Sequence, residues 1–138
     1  MGNEDQVRLA VPAKPEFLGL ARVTAAGLAS RLGFTYDQVE DIRLAIDEIC
    51  FGMTGSRGRD GLLELHFLLG PAGLTVKGYG HFSQPGPVRL SELSEVILDA
   101  LVDEHSMDDG AGGPHFYFFK KRAVRGPGER SELPGEAQ

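Results

Sequence analysis

Glu48 and Gly52 lie one helical turn apart in the segment from Gly33 to Met53, and Asp41 precedes Glu48 by seven residues. On a helix these three positions share a face, so a carboxylate stands over bare backbone near the C-terminal end. Any chemistry on this segment belongs to Glu48. Arg22 offers another kind of chemistry: a planar guanidinium whose donors can pair inside a partner's acidic groove. Gly19, Val23, Ala26 and Ser30 surround it on one helical face, which is nearly flat and exposes small apolar surface, as a protein-binding face does. His66, His81, His105 and His115 lack the spacing of a metal site on one helix, and no second cysteine can join them. Ser30, Ser56 and Ser83 have no nearby His and Asp in an order that suggests a nucleophile. The Gly110 to Gly113 run could cradle phosphate, yet it precedes a strand instead of opening a helix, so the dipole contribution is missing. A loop is the better reading there. Asp37, Glu40, Asp41, Asp47 and Glu48 could dock a basic segment, although such a run is more often a solvated helix face.

These residues need elements to hold them. Thr35 and Gln38 have the spacing of a capping box, so a helix starts near Tyr36. Val39, Ile42, Ile46, Ile49 and Met53 recur at threes and fours as its core stripe, with Ala45 and Cys50 at the edges. An earlier helix is expected from Pro15 to Leu32, stopped by Gly33, with Phe17, Ala21, Leu28 and Leu32 inward. Val7–Val11, Leu62–Leu69 and Leu74–Tyr79 read as strands, with Pro71 to Gly73 turning the last two into a hairpin. Ser91 can cap a third helix through about His105, with Leu93, Val96, Ile97, Ala100 and Leu101 inward. His115–Lys120 is an apolar strand that must lie between other elements. The order implies an α+β two-layer sandwich: a mixed, mainly antiparallel sheet with helices on one face.

A chain of 138 residues with 41% hydrophobic content can bury one core, so residues 1–125 are expected as a single domain. From Gly126 onward Pro, Gly, Glu and Ser dominate, and residues 126–138 are expected as a disordered tail. No run approaches a membrane span, and the start lacks the features of a secretory signal, which points to the cytoplasm. The single Cys50 excludes an internal disulfide and reads as a small buried hydrophobe. A net charge of -6 disfavours duplex nucleic acid as a partner.

Four stretches carry a family likeness: Val11 to Phe17, Gly19 to Thr24, Ala29 to Asp37, and Glu40 to Cys50. Over roughly its first fifty residues the chain resembles the anti-sigma factors that are also serine-protein kinases, regulators of bacterial stress response and sporulation within the histidine-kinase-like ATPase superfamily. The resemblance implies a reduced form of that ATPase fold, a homodimer, a grip on a sigma factor, and phosphorylation of a serine on a small antagonist. Glu48 matches the family's general base. The magnesium-binding Asn of the family falls at Gly52, which has no side chain. The family's Asp-x-Gly-x-Gly motif corresponds to the region of Gly78 and Gly80, and no Asp occurs from Gly61 to Leu98. The glycine-rich lid is replaced by Leu90 to Val96. Gly52, Gly78 and Gly80 are therefore a degenerate cofactor site, and Glu48 a relic.

What the resemblance then implies is an anti-sigma factor that masks an alternative sigma factor without ATP, magnesium or any other cofactor. Partner switching would release the sigma factor when an anti-anti-sigma protein of the STAS type competes for it. Arg22 matches the arginine such proteins use against both partners, with Gly19, Val23 and Ala26 beside it. One alternative is an active serine-protein kinase using Mg-ATP. Another is a pseudokinase scaffold that holds a signalling partner and no sigma factor.

Overall fold

A computed structural model describes residues 5–110 and 112–122. The tail expected over 126–138 lies outside them. Eight elements follow in order: β1 (Asp5–Pro12), α1 (Leu18–Arg31), α2 (Tyr36–Thr54), β2 (Gly61–Leu69), β3 (Gly73–Phe82), α3 (Glu92–Leu101), β4 (Glu104–Asp108) and β5 (His115–Lys121). A 3-10 turn over Pro15–Phe17 leads into α1. Among the described residues no helix is long and apolar enough to cross a membrane.

The strands form one five-stranded sheet in the order β1-β2-β3-β5-β4. Every pairing is antiparallel, so the parallel pair that a mixed sheet needs does not occur among the described residues. The β2–β3 hairpin turns at Pro71 and Ala72, closed by mutual bonds between Gly70 and Gly73. As its apolar sequence requires, β5 lies between two strands, β3 and β4. Alternation sends Leu63, Leu65, Phe67, Leu74, Val76, Phe116 and Phe118 to the helix side, where all are buried. The helices cover that face alone, which makes the two-layer α+β sandwich.

α2 is the central helix. Its Thr35 Oγ1 accepts from the Gln38 N–H at 3.1 Å, and Gln38 Oε1 accepts from the Thr35 N–H at 2.9 Å, so the capping box forms in full. Ile42, Ala45, Ile46, Ile49, Cys50 and Met53 are all buried along the expected stripe. α1 differs from expectation on its inner side. Ala21, Ala25 and Ala29 are its buried residues, Leu28 and Leu32 are partly buried, and Phe17 is exposed in the preceding turn. Alanines at four-residue spacing let the helix axis approach its neighbours closely, which larger side chains would prevent.

α3 departs further. It ends at Leu101, with Val102 extended, and Glu104–Asp108 runs as strand β4 where helix and loop were expected. Leu98 is its buried residue, while Leu93, Val96 and Ala100 point outward. Two apolar stripes compete on this short helix, and its attachments choose between them. Lys120 Nζ donates to Leu101 O at 2.6 Å and to Asp41 Oδ2 at 3.2 Å, which ties the last turn of α3 to β5 and α2.

Candidate functional site

α1 and α2 form an antiparallel hairpin turning at Gly33, whose φ of 86° suits a residue without Cβ. In such a hairpin, residues equally far from the turn face each other. Arg22 lies twelve residues before Phe34 and Asp47 thirteen after it. Arg22 Nε donates to Asp47 Oδ1 at 3.1 Å, with both side chains partly exposed. The guanidinium expected to stand free on its helix is thus held across the helix–helix seam by one nitrogen, while its terminal nitrogens have no protein acceptor among the described contacts. Gly19 lies beside it, since a Cβ there would come within 3.7 Å of Arg22 Nη2. Val23 and Ala26 line an adjoining groove with Tyr36, Val39 and Arg43 of α2. The four expected partner-binding residues therefore occupy one continuous surface along α1, facing α2.

Glu48 and Gly52 occupy the other flank of α2, toward α3. A Cβ at Gly52 would stand 2.8 Å from Leu90 Cδ2, 3.0 Å from Met107 Cε and 3.3 Å from Arg89 O. Those contacts come from the segment before α3 and from β4, so the place a Cβ would take is occupied, although Gly52 also borders an open cavity with Phe51, Arg89 and Glu92. Gly78 and Gly80 are elsewhere. Both lie inside β3, not in a turn, and aromatic rings cover them: a Cβ would meet Phe116 at Gly78 and Phe82 at Gly80. Gly80 N–H donates to Pro114 O at 2.9 Å. Gly52 shares none of these ring neighbours, so the three glycines do not converge on one cradle. Of the Gly110 to Gly113 run, Gly113 N–H closes on Gly110 O at 2.9 Å in a turn ahead of β5.

Much of the acidic run is neutralised inside the fold. Asp41 pairs with Lys120, Asp47 with Arg22, and Glu40 with Arg43. Burial, with Asp47 adding repulsion, pushes the Cys50 thiol up to about 12, so it is an inert core residue at neutral pH. On the open face of the sheet, His66 Nε2 and His81 Nε2 each meet a different oxygen of Glu64 at 2.8 Å. These bonds, from His66 first and His81 second, hold the Glu64 carboxyl below its ordinary range. Burial first, and then the Glu104 carboxylate bonded at 2.7 Å, push the Tyr117 phenol up to about 12. Neither cluster was evident in the sequence, because both depend on cross-strand neighbours. The Arg22–Asp47 pair did leave a signal, the near-symmetry of the two positions about the turn.

No family model matches the chain. It is 48% identical over 48 residues to the serine-protein kinase RsbW of Bacillus subtilis (strain 168), a match covering 35% of this chain and 30% of that protein. The corresponding protein of Bacillus pumilus (strain SAFR-032) is 37% identical over 70 residues, 47% of this chain and 43% of that one. That of Bacillus thuringiensis (strain Al Hakam) is 33% identical over 70 residues, 51% and 44% of the two chains. The chain thus spans less than half the length of each of these curated relatives. Over a third to a half of its own length, the similarity to serine-protein kinases read from its first fifty residues is borne out.

Proposed function

We propose that this protein is a cytoplasmic anti-sigma factor that masks an alternative sigma factor without using ATP, and that a STAS-type antagonist displaces it. The observation that carries the ATP-independent part is the packing at Gly52. The family's magnesium ligand would have to project from this position, and even a methyl group there would crowd Leu90 and Met107. Gly78 and Gly80, the counterparts of the adenine-side motif, are covered by Phe116 and Phe82 within a strand. No aspartate between Gly61 and Leu98 can receive an adenine amino group. The residues present do not fit magnesium-bound ATP, so no phosphoryl-transfer step is assigned to them.

Binding a protein needs none of those parts. Arg22 presents free guanidinium nitrogens on a surface of small residues, and a desolvated arginine in such a place is a common interface anchor. The similarity to serine-protein kinases over about a third to a half of the chain supports the family reading from which the sigma factor, the antagonist and a homodimer are inferred. A second reading, an active serine-protein kinase, is favoured by one observation: Glu48 stands where the family has its general base.

Calorimetric titration with Mg-ATP separates the two readings. The expected result is no heat of binding and no rise in melting temperature, since a ligand that binds only the native state must raise it. A measurable heat with a matching thermal shift would support the kinase reading.

A further inference from the structure

The outer surface of the helix layer carries an apolar groove that the Arg22 surface does not explain. α2 and α3 run antiparallel: Gly52 near the end of α2 packs on Leu90 just before α3, while Asp41 near its start shares Lys120 with the last turn of α3. Leu44 and Phe51 are seven residues apart on α2, so they crown one ridge about 10 Å long. Leu93 and Val96 are three apart on α3 and form a second ridge. These four large apolar side chains are 52%, 52%, 69% and 63% exposed, respectively, far more than a helix layer needs for its own stability. Where Phe51 approaches Leu93 the surface dips into a cavity of about 690 Å³, lined also by Gly52, Arg89 and Glu92. Two apolar ridges flanking a cleft are what an amphipathic helix lays its own apolar face into.

Charge decides what kind of helix fits. Glu92 on α3 lines the cavity and Glu48 on α2 stands one turn before Gly52, and neither has an ion-pair partner among the described residues, whereas Glu95 lines a separate cavity with His105 and Met107 on the other flank of α3. Arg89 is the one cation lining the cavity among the described residues. A second copy would set these carboxylates against themselves. The chain's own residues 123–138 hold three glutamates against two arginines, with too little positive charge or apolar surface to fill the cleft. We propose that the α2–α3 groove docks a basic amphipathic helix of another protein. Apolar anchors one and two turns apart would enter the cleft, and flanking Lys or Arg would meet the glutamates. The groove lies on the opposite flank of α2 from Arg22 and does not rest on the sigma-factor reading.

The test titrates the whole protein against a fluorescent Leu/Lys amphipathic peptide of about five helical turns, with a Leu/Glu peptide of the same apolar pattern as comparison. The expected result is saturable binding of the basic peptide and at least tenfold weaker binding of the acidic one. Leu93→Asp and Val96→Asp replace exposed side chains, so both variants should keep the wild-type circular dichroism. Each should weaken the basic peptide at least tenfold, although each adds negative charge, whereas Leu20→Asp on α1 should change it less than twofold. Absence of binding, equal binding of the acidic peptide, or unchanged or tighter binding by Leu93→Asp would overturn the proposal, the last by showing mere charge attraction. Loss of sigma-factor capture leaves this titration unaffected, so the two readings fail separately.

Discussion

At the scale of single residues, the account turns on what lies beside a side chain that is absent. Gly52 is the clearest case, because its replacement is opposed by contact and favoured by helix propensity. Asn in place of Gly inside a helix gains roughly 0.5 kcal/mol of intrinsic preference. The ends of Leu90 and Met107 can swing aside at small cost, but an Asn reaches past Cβ and the Arg89 carbonyl 3.3 Å away is fixed, so overpacking of about 1 kcal/mol still outweighs the gain. Gly52→Asn should therefore lower the urea midpoint of unfolding without conferring affinity for Mg-ATP. An unchanged midpoint with new ATP binding would show that the flank of α2 opens readily.

Glu64 supplies a pH-dependent term at the same scale. Its carboxyl is held lower in the folded protein than in the unfolded chain, by His66 and then His81. The bond therefore stabilises the fold above the unfolded glutamate value and is lost as pH falls through the folded one. Melting temperatures measured from about pH 6 down to about pH 3 should fall more steeply for the wild type than for Glu64→Gln. Parallel curves would mean that the two histidine contacts do not persist in solution.

Among the elements, α2 was fully legible and α3 was not, for a physical reason. The capping box and an unbroken run of apolar residues at threes and fours leave α2 one way to face the core. α3 has apolar residues on more than one side, so periodicity alone cannot choose, and the tether from Lys120 to Leu101 and Asp41 is seen only after folding. β4 escaped notice because Glu104, Ser106 and Asp108 alternate outward on an edge strand with only His105 and Met107 turned inward, a pattern too polar to suggest a strand. α3 keeps Ile97 and Leu101 partly buried as expected but turns Leu98 inward and Leu93 outward, and this has a sharp consequence. Leu98→Ala should destabilise by about 2–5 kcal/mol, as emptied core sites do, while Leu93→Ala should stay within about 0.5 kcal/mol. Chemical denaturation of both variants reads this directly, and equal losses would restore the face first expected.

On the scale of the whole molecule, the sheet and helix layers separate two kinds of surface. The open sheet face is cross-linked by Glu64, His66 and His81 and carries one large exposed apolar residue among the described residues, Leu62, whereas those of the helix layer include Leu20, Val23, Leu44, Phe51, Leu93 and Val96. Protein partners should thus meet the helices. The most direct test titrates the protein against each sigma factor of its source organism, with and without Mg-ATP. One alternative sigma factor should bind equally well in both conditions, and Arg22→Glu, still folded by circular dichroism, should weaken that binding by about 1–4 kcal/mol. Binding of no sigma factor, or binding that requires Mg-ATP, would contradict the account.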